Sequence, residues 1–576
     1  MKKQLRLWTQ GPMRRIFPHD PPRRARTQPL EIVAARGETQ CLQVGVRVDG
    51  FLFNYITAEV TDLAGPGRAR IGRRCVDVLY PEYVPVKWQT GLQRPGDVER
   101  PAPGFFPDPL MHEWKFVVAG PAAPPTHSIW LRVRVPRDAR AGQYRATVMV
   151  TVGRRNFKAE NQKPRPEDVF TAKIRFRLRV WDFALPERTG LLTTYWFFPE
   201  AIAEWYDRPL WSAGFWKLLK RFATDMADHR QNVILTPILG HRNRGTQLVD
   251  ITRRGRRYSF DFRRFDRWCR IFLKRRFEII EGQHVASGCV RTPEFCRTRP
   301  DGGLCPLAFD NAQDPRYEEF LRQFMRALWE HLGRRGWRKH YVQHISDEPG
   351  PAQYKRYRRL AEIVRAAAPG IRLADAVAHA EYADLMDYPV PLENCYDDLL
   401  TASGRRREDV WVYYCCGPTG PWPNRFIDYP PIRVRIISWL CFRKGIPAFL
   451  HWGYNFWTTS PSVRKTINPW DDPTGHRWPA GDPMAVYPPR DSRMGDEIIG
   501  SIRWELTREA LQDYEYLRMV QALADKGGRL AGRAEKILRD VFEKIVPDWT
   551  TYTRDEKLLE RTRRAMGRLL ADAAGR

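Results

Sequence analysis

Between Leu30 and Phe183 apolar and polar residues alternate with a period of two, the spacing of strands that bury one face. The alternation is cleanest in Ile129-Trp130-Leu131-Arg132-Val133-Arg134-Val135 and in Gln143 to Val152. The turn-rich Pro136-Arg137-Asp138-Ala139-Arg140-Ala141-Gly142 between them predicts a hairpin. A further strand, Ala172 to Trp181, follows a polar excursion from Arg154 to Asp168. With no convincing helix among these strands, the pattern predicts an antiparallel β-sandwich over residues 29–186. Residues 1–28 are rich in Arg and Pro and read as an irregular basic N-terminus, and Leu185-Pro186-Glu187-Arg188 marks the boundary that follows the sandwich.

After Thr189 short apolar runs alternate with segments of helical period. Strands are expected at Leu191–Phe198, Asn232–Pro237, Phe277–Gln283, His340–Ser346, Ile371–Val377, Pro391–Tyr396, Val410–Cys415 and Ile446–Trp452. Helices lie between several of them, most plainly at Pro315–Leu332 and at Pro351–Ala368, which Pro369-Gly370 stops. This order predicts a (β/α)8 TIM-type barrel over residues 187–525. Gly453 to Gly500 is a long aperiodic stretch whose tryptophans argue for an ordered loop. A helix over Glu505 to Leu523 closes the unit, and Leu530–Ile545 and Asp555–Ala574 predict a helical tail over 526–576.

The net charge of +29 first suggests an anionic partner. Arginines that alternate with apolar residues, as in Ile174 to Val180, instead decorate the solvent faces of strands, so no specific nucleic-acid partner is expected. The ten cysteines are scattered without a C-x-x-C pair, which argues against a zinc site. No metal or organic cofactor is expected. The sequence shows no secretory signal and no apolar run of transmembrane length, so the expected location is cytoplasmic with no membrane partner.

The chemistry concentrates in Lys339-His340-Tyr341-Val342-Gln343-His344-Ile345-Ser346-Asp347-Glu348-Pro349-Gly350. Two acids at the carboxyl end of a barrel strand stand where such barrels keep their active sites. Carboxylates crowded together cannot both ionise cheaply, and one can serve as a general acid. The plain alternative is a helix N-terminal acid pair favoured by the dipole. Aromatic residues at other strand ends tilt the balance toward a carbohydrate pocket: Tyr195-Trp196-Phe197, Trp411 and Tyr413, and His451 to Trp457.

Ser346-Asp347-Glu348-Pro349 after a barrel strand resembles the catalytic segment of glycoside hydrolase family 123. The segments Trp411 to Pro418, Pro423 to Asp428, His451 to Trp457, Arg503-Trp504-Glu505 and Asp513 to Leu517 look like the overlapping domain of unknown function DUF4091. The resemblance implies a retaining, substrate-assisted β-N-acetylhexosaminidase acting on a glycan, with N-acetylgalactosamine preferred. Glu348 would be the general acid/base, and Asp347 would orient the acetamido N–H. Tyr413 would meet the acetamido oxygen and Trp452 would floor the sugar. Asn455, Trp457 and Asn424 would contact hydroxyls. His344 reads equally as a partner behind the acids or as a core histidine, while Trp196 and His284 could line the same mouth. Adjacent acids reach one site only if the strand end twists or bulges, which Pro349-Gly350 permits. Two readings stay open beside this one: a two-carboxylate glycosidase for sugars without an acetamido group, and a non-catalytic glycan-binding protein.

Overall fold

The computed structural model describes residues 3–575 apart from 24–27, 92–93, 95, 113–114, 117–123, 155–167, 241–245, 300–302, 458–466 and 492–493. Most of the polar excursion after Arg154 therefore lies outside the described residues.

Two sheets form the N-terminal sandwich. One runs in the order Gln4–Gln10, Thr39–Asp49, Thr126–Arg134, Val76–Val86, Gly104–Met111, and the other runs Leu30–Arg36, Val169–Ala184, Gly142–Gly153, Tyr55–Val60, Lys115–Phe116. Leu42, Val44, Val46, Ile129, Leu131 and Val133 from the first meet Val148, Val150, Phe176 and Leu178 from the second in a dry core. Three expectations need correction. The strands either side of Pro136 to Gly142 do not pair as a hairpin but belong to opposite sheets, because alternation fixes which face is buried and not which strand is the neighbour. The sandwich is not wholly antiparallel, since Leu30–Arg36 runs parallel to Val169–Ala184. The N-terminus is not irregular throughout: Gln4–Gln10 is an edge strand, and the Trp8 ring lies on Gly45, where an added Cβ would stand 2.0 Å from Cε2.

The second unit is a parallel eight-stranded sheet curled into a nearly closed barrel. Its strands are Leu192–Tyr195, Val233–Thr236, Ile279–Gly282, Tyr341–Gln343, Arg372–Ala376, Tyr388–Val390, Val412–Tyr413 and Ala448–His451. Seven match the expected runs. The sixth lies ahead of the expected Pro391–Tyr396, because Pro389 and Pro391 blur the pattern by withholding two backbone donors. The seam is closed by Trp411 N–H to Pro389 O (3.1 Å), Tyr413 N–H to Pro391 O (3.0 Å) and Glu393 N–H to Tyr413 O (3.0 Å).

Helix Ile502–Asp525 joins the two units. Every residue from Ile502 to Leu517 is buried, the charged ones included, so the expected apolar stripe is only part of its contact surface. Glu505 accepts from Arg132 of the sandwich (3.1 Å), pairs with Arg508, and faces His229 of the barrel (3.3 Å). Asp513 holds Arg435 (2.6 Å) and Arg563 (2.7 Å), and Arg563 also pairs with Glu38 of the sandwich. The terminal helix Glu556–Ala574, which supplies Arg563, is thus wedged between the units, with Gly567 against the Trp181 ring. Arg425, Arg433, Arg435, Arg503 and Arg563 are fully buried, so part of the basic composition builds the interior. Among the described residues no helix is long and apolar enough to cross a membrane.

Candidate active site

The fourth barrel strand pairs with the fifth only through Val342 opposite Arg372 and Gln343 opposite Leu373. Past Gln343 a side chain takes over the ladder. Asp375, fully buried in the fifth strand, accepts the N–H groups of Ile345 (2.8 Å) and Ser346 (3.3 Å) on Oδ2, along with the hydroxyl of Tyr357 (2.6 Å). The main chain rejoins the fifth strand where Glu348 N–H meets Ala376 O (3.1 Å). Glu348 has φ +42°, a left-handed conformation that costs a residue with a Cβ about 1–3 kcal/mol and clusters at functional sites. Asp347 and Glu348 both stand exposed at this turn. Tyr413, at the end of the seventh strand, donates its hydroxyl to Glu348 Oε1. Burial, then the charges of Glu348 and Asp347, push the Tyr413 phenol far up, so it stays a donor. The left-handed turn therefore sets Glu348 on the phenol, with Asp347 exposed beside it.

Beneath the acids lies a buried ionic layer. His344 is closed to solvent, with Nε2 2.6 Å from Glu281 Oε1 and Nδ1 2.9 Å from Asp375 Oδ1. Burial alone would lower its pKa, but hydrogen bonds to Asp375 and Glu281 and their charges push it up to about 10, so the ring is an imidazolium. Glu281 also accepts Trp196 Nε1–H (3.0 Å) and the Thr194 hydroxyl (2.7 Å). His284 lies near both, its ring centre 4.7 Å from that of His344 in a tilted arrangement and 5.4 Å from that of Trp196 edge-on. His284, His344 and Asp375 offer atoms within 4.8 Å of one another, a spacing a metal could bridge. His344, however, has both nitrogens engaged with carboxylates and keeps no lone pair for a metal. Of the two readings of His344, its carboxylate contacts make it a partner beneath the acids, while Trp196, expected to line the mouth, is buried with its indole N–H spent on Glu281.

The eighth strand brings Trp452 to the rim, half-buried, with its indole N–H on Asp482 Oδ2 (3.0 Å). Trp478, also half-buried, packs on it at 4.9 Å between ring centres. Burial, reinforced by the neighbouring Cys416, raises the Asp482 carboxyl to about 8. Arg425 ties this corner together by donating to the carbonyls of Gly453 and Asp482 (2.9 Å to the latter). Three expected sugar contacts do not reach the surface. Asn455 clasps the main chain of Phe198 (2.8 and 3.0 Å), Asn424 holds the Cys415 carbonyl (3.0 Å), and Trp457 donates to Val486 O (3.0 Å). Each is fully buried and spends its polar groups on loop backbone. Sequence reasoning overlooked Asp375 and Glu281, whose signal was an acid inside an apolar strand, and Trp478 and Asp482, which sit in a stretch without periodicity.

Two exposed acids, a phenol bonded to one of them and a half-buried tryptophan pair are side chains of the kind that can bind and cleave a sugar. The family model described as glycoside hydrolase 123, catalytic domain, matches residues 196–520, more than half of the chain. Among solved structures, a family 123 glycoside hydrolase from Clostridium perfringens, studied for glycolipid glycan hydrolysis, superposes with a TM-score of 0.70 at 14% identity. The alignment covers 99% of this chain and 98% of that one, a likeness of fold across the whole molecule. A putative beta-galactosidase from Bacteroides fragilis (10% identity, 73% and 53% covered) and a family 5 mannosidase from Rhizomucor miehei (10%, 60% and 94%) reach TM-scores of only 0.25 and 0.28, too low to bear on the site. No functionally curated protein matches the sequence. With the family model spanning seven of the eight barrel strands, the acid-bearing one included, the chain belongs to glycoside hydrolase family 123 and is a glycosidase.

Proposed function

We propose that the enzyme cleaves a β-linked N-acetylhexosamine, with N-acetylgalactosamine preferred, by a retaining, substrate-assisted route. The observation that carries this reading is the adjacency of Asp347 and Glu348 at a left-handed turn beside Tyr413. A glycosidase using two opposed carboxylates places them across the scissile bond on separate elements. Neighbours on one turn suit a different division of labour. Glu348 protonates the leaving oxygen and then deprotonates water. Asp347 accepts the acetamido N–H and steadies the positive charge that develops as the acetamido oxygen attacks the anomeric carbon. Tyr413 orients Glu348 in the free enzyme, and its single hydroxyl proton turns from that contact to the acetamido oxygen when the sugar binds. Trp452 and Trp478 supply the apolar wall against which a pyranose face packs, and His284 reaches the rim from the third strand. The glycolipid substrate of the Clostridium perfringens relative suggests a glycoconjugate as the natural class.

The test is initial-rate hydrolysis of aryl β-N-acetylgalactosaminide beside aryl β-N-acetylglucosaminide and aryl β-galactoside. Cleavage of the acetamido sugars without the galactoside is expected. Equal rates on acetamido and hydroxyl sugars would replace this reading with a two-carboxylate mechanism.

A further inference from the structure

We infer that Asp375 is the positioning residue that shapes the turn carrying the acid pair, an inference that rests on the assignment of Asp347 and Glu348 above. Pro349-Gly350 permits a turn, but the bonds that impose it come from the neighbouring strand. In a continuing parallel ladder successive N–H groups turn to alternate neighbours: His344 N–H bonds Gly282 O of the third strand (3.1 Å), and the Ile345 N–H would bond a fifth-strand carbonyl. Here Ile345 and Ser346 bond the Asp375 carboxylate instead, at 2.8 and 3.3 Å. A side chain thus stands where main chain would be, and residues 345–347 are held away from the fifth strand until Glu348 N–H returns to Ala376 O (3.1 Å). The stretch from His344 is fixed from its other side by Val285 N–H on His344 O (3.3 Å), Ala286 N–H on Ile345 O (3.0 Å) and Cys289 N–H on the Ser346 hydroxyl (3.0 Å).

Besides His284, whose Nε2 lies 3.4 Å from Oδ1, the groups facing Asp375 all donate: two backbone amides, the Tyr357 hydroxyl and the His344 imidazolium. Only a carboxylate accepts from all of them at once, and a fully buried carboxylate is tolerable only when it is satisfied in this way. An asparagine would keep one oxygen for the two amides and turn its NH2 toward His344, which can meet it in a neutral tautomer. An alanine would leave both amides without an acceptor and relax the turn.

The experiment combines amide hydrogen exchange of peptides spanning 341–350 in the intact chain with kcat and KM on aryl β-N-acetylgalactosaminide. Wild type, Asp375→Ala, Asp375→Asn and Tyr357→Phe are compared. In Asp375→Ala, exchange at Ile345 and Ser346 is expected to accelerate at least ~10-fold, and kcat to fall ~10²-fold, with KM within about threefold, as for a misplaced catalytic group. Asp375→Asn is expected to keep the protection and most of kcat, and Tyr357→Phe to lose less than the alanine. Unchanged exchange in a folded Asp375→Ala would overturn the inference, as would faster exchange with kcat intact. If the alanine unfolds the barrel, the asparagine decides: loss of kcat while both amides stay protected refutes the positioning role, and retention of both supports it. Should wild type cleave no glycoside, the assignment of the acids fails, while exchange at Ile345 and Ser346 still reports whether Asp375 shapes the turn.

Discussion

Replacing Glu281 by Gln isolates the charge that holds His344 protonated. Glu281 Oε1 accepts from His344 and Trp196, and Oε2 accepts from Thr194, whose hydroxyl can equally receive a hydrogen bond. The amide therefore fits the same contacts, with its oxygen toward the imidazole and indole and its NH2 toward Thr194. What is lost is one of two negative charges flanking a fully buried cation. Breaking a buried pair outright costs about 3–5 kcal/mol. Asp375 still neutralises the ring and the amide oxygen still accepts from it, so the expected cost is about 1–3 kcal/mol. For a domain of this size that lowers Tm by roughly 1–4 °C near neutral pH. The pH dependence follows from the direction of the shift. The folded pKa of His344 is raised from 6.5 to about 10, so its contribution is complete below about 6.5 and is lost as pH rises through about 10. The gap in Tm between wild type and Glu281→Gln, followed by differential scanning fluorimetry, should be full at about pH 6 and close toward about pH 10.5. A gap that is absent at neutral pH, or equally wide at both ends, would refute a charged His344.

Three further outcomes are expected. Tyr413→Phe removes the donor to Glu348 and should lower kcat about 10–100-fold with a smaller change in KM, measured by Michaelis kinetics on an aryl glycoside. Glu505→Ala leaves the buried Arg508 without its carboxylate and the half-buried Arg132 with Asp77 alone (3.1 Å), and should cost about 3–5 kcal/mol in urea unfolding. The Arg132 and Arg508 charges hold the Glu505 carboxyl well below 4.5 against the opposing effect of burial. Its contribution is thus present above about pH 4.5 and fades in acid, and the difference between variant and wild type should shrink there. Gly45→Ala should cost about 1–3 kcal/mol because its Cβ meets the Trp8 ring, and Trp8→Ala in the same chain should recover much of that loss in a double-mutant cycle.

The sequence displayed what periodicity controls. Alternation located the sandwich strands, and apolar runs between helices located seven of the eight barrel strands, because both report which face is buried. Pairing was not legible: the strands flanking Pro136 to Gly142 look like a hairpin, and only the packing of two sheets separates them. The acid pair was visible because two adjacent acids ended an apolar run before Pro349-Gly350. The layer beneath was not. Asp375 and Glu281 are single acids within apolar strands, and their meaning depends on His344 arriving between them from a third strand. Asn424, Asn455 and Trp457 misled for the converse reason: residues suited to hydrogen-bonding a sugar are equally suited to holding a long loop's backbone, and here they do the latter.

The central claim, that Glu348 is the acid/base and Asp347 the acetamido partner, is tested most directly by leaving-group dependence. Rates of Glu348→Gln and Asp347→Asn on aryl β-N-acetylgalactosaminides with poor and with activated leaving groups are compared with wild type. The account predicts that both variants fall by orders of magnitude on the poor leaving group, and that activation restores Glu348→Gln far more than Asp347→Asn, since only the former lacks the proton donor. Equal restoration of both, or unimpaired turnover by either variant, would contradict it.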